Sequence, residues 1–360
     1  MFKPKCLPIL IGSLPLTDHQ KATEVILSYT PEIPLWPQLP KLPREGMVRQ
    51  FISGFPGLQE DGGRFWIDTG VSDFEEQMTA FYQEYMEIEE KSGSVFSTGS
   101  RFALNAETAT GFEVFINTMK ARRQSFITLK GQITGPVTTG IGVKDQENRS
   151  IFYDDGLRDM LIKLLTLKAC WQIVKLKELT GTASPIIFID EPGIVSFGSS
   201  AFVGISKEMV SEAVAEVVAG IQGAGGLAGI HICANGDWSP ALSSAADIIS
   251  FDAYFYFDNF TLYREQLTRY IKRGGILAWG IVPTGDPGVL QVVDAESLFK
   301  KWQVQLEFLS SFGFSQKELM EQTFIAPSCG TGSLPIELAV KVLQLTAEVS
   351  ERARVFLDSA

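Results

Sequence analysis

The chain has 360 residues, 45% of them hydrophobic and 20% charged, a balance that excludes an intrinsically disordered protein. Its formal net charge of −11 argues against nucleic acid or an anionic membrane as a partner, because both select for clustered Lys and Arg. No apolar run approaches the roughly 20 residues needed to span a bilayer, no signal peptide is read at the start, and four scattered cysteines fit a reducing cytoplasm better than a disulfide framework.

Residues 7–11 form a short apolar run ending in Gly12-Ser13, which reads as a buried strand. Thr17-Asp18-His19-Gln20 has the form of a capping box and starts a helix that runs to about Tyr29. A second extended stretch follows at Ile33-Pro34-Leu35-Trp36. Residues 41–75 then lose periodicity and are rich in Gly, Pro and charge, with Asp61-Gly62 predicting a hairpin turn. Excursions of this length in compact domains are often functional covers, so this one is expected near the mouth of the site. Helical patterns occupy roughly 75–91 and 107–121.

From Ser125 the pattern becomes regular. A strand at 126–129 ends at Lys130-Gly131-Gln132, and a long helix begins near Asp154 or Asp155 and stops at Gly181. Strand 186–189 precedes a helix over 207–222 capped by Ser206, then strand 226–233 and a short helix. Strand 247–251, a helix over 259–274, strand 275–281, a helix capped by Asp294, strand 323–326 and a last helix from about Ser333 complete the chain. The late strands are continuous apolar runs, as parallel strands covered on both faces should be. Eight strands, each followed by helical or excursion sequence, predict a single (β/α)8 TIM barrel over residues 1–360 with no second domain. A doubly wound sheet is the alternative, but no Gly-x-Gly-x-x-Gly turn follows the first strand.

A barrel gathers its chemistry at the carboxyl ends of its strands. Here those ends offer Ser13, Gln38, Lys130 with Gln132, Asp190 with Glu191, His231 with Cys233, Asp252, Pro283 with Thr284, and Cys329. In an extended strand His231 and Cys233 share a face, because alternate side chains point the same way. One imidazole and two thiolates suit Zn2+ over magnesium or calcium, which prefer oxygen. Three protein ligands with a weak or absent fourth are the pattern of a catalytic zinc site, and Asp252 is the candidate fourth ligand or an acceptor fixing the His231 ring. The structural alternative is that these are packed core residues, as Cys170 is expected to be in its Leu-rich helix.

These residues resemble those of the zinc-dependent thiol methyltransferases related to the carboxyl-terminal half of cobalamin-independent methionine synthase. The wider barrel family also holds uroporphyrinogen decarboxylase and the methylcobalamin:coenzyme M methyltransferases. Ile11-Gly12-Ser13-Leu14-Pro15 resembles the opening motif, which implies that Ser13 contacts a substrate carboxylate. Ile189-Asp190-Glu191-Pro192 resembles the Asp-Glu-Pro turn, which implies that Asp190 and Glu191 hold the substrate amine or shape the site. His231-Ile232-Cys233 and Cys329-Gly330 match the zinc motif, and Ile249-Ser250-Phe251-Asp252 aligns with a strand carrying a glutamate ligand. The resemblance spans nearly the whole chain in strand order.

Two departures bear on the methyl donor. The loop Gly280-Ile281-Val282-Pro283-Thr284-Gly285 lacks the histidine proton donor of methionine synthase, and the duplicated amino-terminal barrel that helps hold its folate is not in this chain. The resemblance therefore implies methyl transfer to homocysteine or a related small thiol, from a methylcorrinoid, with a corrinoid protein as a possible partner. A metal-free decarboxylase of the porphyrin type is the first rival, and it leaves the His and Cys residues unexplained. A zinc hydrolase would want more histidines. A non-catalytic zinc- or corrinoid-binding module predicts a closed site.

Overall fold

The computed structural model describes residues 2–91, 93–122, 125–196 and 204–359. An extended amino-terminal segment leads into α1 (His19–Tyr29), whose N-cap Asp18 accepts from Lys21 N–H at 3.0 Å. The excursion carries a small antiparallel hairpin, β1 (Leu58–Asp61) and β2 (Arg64–Ile67), turned through Gly62 and Gly63 at φ 53° and 84°. Both values lie in the left-handed region that glycine enters without steric cost. Helices α2 (Phe74–Glu89) and α3 (Thr110–Ala121) close this first portion.

Six parallel strands follow, hydrogen-bonded in chain order. They are β3 (Lys130–Thr134), β4 (Ile186–Asp190), β5 (Leu227–Ile232), β6 (Ile248–Phe251), β7 (Ile276–Val282) and β8 (Thr323–Pro327). Between β3 and β4 lie α4 (Pro136–Gly142) and α5 (Asp155–Thr180). The long α5 is set by Asp154, which caps Leu157 N–H, and stopped by Gly181 at φ 61°. Helix α6 (Lys207–Gly223) is capped by Ser206, α7 (Ser239–Ser243) follows β5, and α8 (Ala253–Thr261) with α9 (Arg264–Lys272) follows β6. After β7 come α10 (Pro287–Val292), α11 (Ala295–Ser310, capped by Asp294) and α12 (Gln316–Glu321), and α13 (Ile336–Asp358) ends the fold.

The eight-stranded ladder expected from the sequence is not continuous, because the first two expected strands appear as isolated parallel bridges. Pro8 bridges Ile325 of β8, Ser13 bridges Gln38, and Leu35 bridges Lys130 of β3. Backbone hydrogen bonds run along the same line: Ile9 N–H to Ile325 O at 2.9 Å, Gln38 N–H to Gly12 O at 3.1 Å, and Lys130 N–H to Pro34 O at 2.9 Å. Pro8, Pro34 and Pro37 explain the interruption, since proline has no N–H to donate to a ladder. The two segments thus lie between β8 and β3 without becoming regular strands.

Buried apolar side chains divide into two clusters. The larger lies between strands and helices, and the smaller gathers Ile9 and Ile11 with Ile186, Phe188, Ile248, Ile276 and Phe324. Every member of the smaller set comes from an extended segment, so it is the cluster on the inner face of the sheet. Each such side chain contributes roughly 1.5–3 kcal/mol on burial. The strand expected at 126–129 begins instead at Lys130, and the polar Lys130, Gln132 and Thr134 alternate along one face of it, all buried.

Candidate metal centre

Parallel register places Asp190, His231 and Ser250 side by side on β4, β5 and β6. Cys233 follows directly after β5 on the face His231 occupies. The sulfur of Cys329 arrives on the turn after β8. One ligating atom each from His231, Cys233 and Cys329 lies within 4.8 Å of the others, the group of this kind found among the described residues. His231 is buried, and both cysteines are half-buried.

The His231 ring is held from one side only. Its Nδ1 is 2.9 Å from Ser250 Oγ, while Nε2 is buried with no hydrogen-bond partner among the described residues. A buried ring nitrogen without a partner costs free energy unless something fills its direction. Two sulfurs and one imidazole nitrogen are the donor set zinc takes, and the free direction of Nε2 fits such an ion.

The thiols differ in proton affinity. Cys233 is held down at about 4, first by the hydrogen bond from Cys329 and also by the His231 ring, against the opposing effect of burial. Cys329 is pushed far up, first by donating to Cys233 and then by burial. Without an ion the pair keeps one proton between two sulfurs, and a divalent cation would displace it.

Cys329 is positioned by neighbours on both sides of its turn. Ser328 Oγ accepts from Thr284 N–H at 3.0 Å. Thr331 donates to Ser13 O through N–H at 3.0 Å and through Oγ1 at 2.9 Å, and Gly332 N–H donates to Ser13 Oγ at 3.2 Å. Ser13 is therefore the clasp between the amino-terminal segment and the Cys329 turn.

The acidic candidates take distinct places. Asp190 is buried with Oδ1 unpartnered, and burial lifts its carboxyl to about 6, with His231 and Lys130 pulling it down. Glu191 points elsewhere: it accepts from Val137 N–H at 2.9 Å, Thr138 N–H at 2.7 Å and the Thr138 hydroxyl, and so holds the first turn of α4. Asp252 is outside the three-atom group; its carboxylate caps α8 by accepting Phe255 N–H at 2.9 Å. Its carboxyl is also raised to about 6, by burial first and by the nearby Cys233 charge. The group hydrogen-bonded to the His231 ring is the Ser250 hydroxyl and not the Asp252 carboxylate.

Beneath Asp190, Lys130 is fully buried, donates from Nζ to Ile11 O at 2.7 Å and sits 4.3 Å from the Phe188 ring centre. Burial lowers its ammonium to about 7. Gln132 donates to Trp36 O at 2.9 Å and leaves Oε1 unpartnered. The excursion meets this rim: Thr134 Oγ1 donates to Met47 O at 2.7 Å, and Gln38 donates to Gln50 at 2.8 Å. His19 Nε2 lies 2.6 Å from the buried Glu45, tying α1 to the excursion's base. Lys130 and Gln132 are among the strand ends read from the sequence, whereas Ser250 is not, although the period-two pattern through His231 and Asp252 brings Ser250 to the same face.

No protein-family model matches the chain, and no curated protein matches it. Among solved structures it is similar to a B12-independent methionine synthase from Shewanella sp. W3-18-1 in complex with selenomethionine, at 17% identity over 68% of each chain and a TM-score of 0.48. It is also similar to a methyltransferase from Methanosarcina mazei, at 14% identity over 96% of this chain and 98% of that one, with a TM-score of 0.42. Among the described residues no helix is long and apolar enough to cross a membrane.

Proposed function

We propose that this chain is a zinc-dependent methyltransferase acting on a small thiol, homocysteine or a relative, with a methylcorrinoid as donor. The observation that carries the reading is the convergence of His231, Cys233 and Cys329 to within 4.8 Å. The scaffold we propose is a single (β/α)8 barrel over the whole chain, in which the two proline-interrupted segments complete a ring begun by β3 to β8. A cytoplasmic setting, where thiols stay reduced, suits the two half-buried cysteines.

His231, Cys233 and Cys329 would hold the ion. When bound, zinc supplies Lewis acidity, which makes a thiol of pKa near ~8.5 nucleophilic at neutral pH. Cys233 and Cys329 offset the charge of the cation, and their partial exposure leaves an approach for a substrate sulfur. Asp190, with an oxygen free of partners, is placed to accept a substrate ammonium. Ser13 fixes the Cys329 turn, and Glu191 fixes the turn before α4. Asp252, whose carboxylate caps α8, would stand beside the ion and not in its first set of ligands. The loop after β7 carries no histidine, which favours a donor whose leaving group departs without a proton.

The test is zinc content of the purified protein beside Cys329→Ser, with thiol-dependent loss of methylcobalamin absorbance. One zinc per chain, lost in the variant together with turnover, is expected. No zinc in the wild type sinks the metal reading. Zinc without thiol-dependent turnover on any methyl donor leaves a binding module.

A further inference from the structure

An imidazole offers two nitrogens, and only the one without a proton can face a cation. Which one that is depends on what the other meets. On β6, Ser250 is fully buried and in register with His231, with its Oγ 2.9 Å from Nδ1. The opposite neighbour in the sheet, Asp190, makes no hydrogen bond to the ring and has an oxygen left unpartnered. We infer that Ser250 is the positioning residue of the metal centre: it accepts from Nδ1–H and so keeps Nε2 as the lone-pair atom aimed at the two sulfurs. This rests on the zinc reading above.

The choice of a hydroxyl has an electrostatic consequence. Ligating histidines commonly donate to a carboxylate, which adds negative charge to the centre. Ser250 adds none, so among the residues that would hold a dipositive ion or its histidine, only the Cys233 and Cys329 thiolates would carry negative charge. A carboxylate in its place would oppose an incoming thiolate at short range.

The experiment compares wild type, Ser250→Ala and Ser250→Thr. Zinc affinity is read by chelator competition, and the hydrogen-bonded Nδ1–H of His231 is read by nitrogen-15 NMR of the zinc-loaded protein. The in-register neighbour across from Ser250 is the small Ala278, which leaves room for the threonine methyl. Loss of affinity by roughly 10–100-fold in Ser250→Ala, with recovery in Ser250→Thr and a fast-exchanging or absent Nδ1–H signal in the alanine variant alone, is expected. Unchanged affinity and an intact signal in Ser250→Ala overturn the inference while the zinc centre stands. An Nε2–H in zinc-loaded wild type overturns it whether or not the variants fold. A wild type that binds no zinc overturns this inference and the functional reading together.

Discussion

Replacing Gly330 with alanine tests the clasp between the two ends of the chain. A Cβ at that position would lie 2.1 Å from Ser13 Oγ and 3.3 Å from Ser13 Cβ. Carbon atoms in contact settle at roughly 3.5–4.0 Å, so the hydroxyl must leave and the turn must shift. The Gly332 N–H then loses its acceptor, which costs about 1–3 kcal/mol, and overpacking adds about 1–3 kcal/mol. Gly330→Ala is expected to lower stability by roughly 3 kcal/mol and to weaken zinc binding, because Cys329 precedes it. Ser13→Ala alone loses one hydrogen bond, about 1 kcal/mol. In the double variant the clashing oxygen is gone, so the second substitution should cost little beyond the first, with a coupling of about 1–2 kcal/mol. Urea denaturation of the metal-free proteins measures all four corners of the cycle. Strict additivity would refute the claim that Ser13 and the Cys329 turn are packed against each other.

Two further outcomes follow from buried charges. Glu191→Ala strips the acceptor from Val137 and Thr138 N–H, so stability should fall by roughly 2–5 kcal/mol with zinc affinity kept; lost affinity at full stability would place Glu191 at the ion instead. Lys168 is fully buried, donates to Ala103 O at 2.7 Å and Arg101 O at 3.1 Å, and burial lowers its ammonium from 10.5 to about 7. Between those values the unfolded chain holds a proton that the folded one lacks, so stability should rise with pH, by roughly 2 kcal/mol from pH 7 to 9. In Lys168→Met that share should be lost while the part due to the buried Lys130 remains, and parallel denaturation midpoints for the two proteins across this range would contradict it.

The meeting of His231, Cys233 and Cys329 was legible because three rare side chains fall on strand ends found by an independent pattern, and the α5, α6 and α11 boundaries because Asp154, Ser206 and Asp294 cap them. The strand at β3 was displaced because one face of it is Lys130, Gln132 and Thr134, and a search for apolar runs passes over polar residues buried on a sheet face. The helix expected over 259–274 is two helices, the first running Ala253–Thr261 behind its Asp252 cap with a kink at Tyr256; its start signal was passed over because Asp252 was read as a ligand or ring acceptor. The roles of Ser250, Ser13 and Glu191 depend on which strands and turns become neighbours. Such partners are far apart in the chain, and residue spacing does not encode them.

The proline-broken segments are the least regular part of the strand array, joined to β8 and β3 by isolated bridges. Amide protons there rest on a handful of hydrogen bonds, so exchange with solvent should begin at that edge. Through Ser13 the Cys329 turn is tied to that edge, whereas His231 stands on an unbroken ladder with Cys233 directly after it. The proposed donor set would thus be split between a stiff part and a yielding part. During synthesis a growing chain would hold only two of the three proposed ligands until β8 and the turn after it had been made.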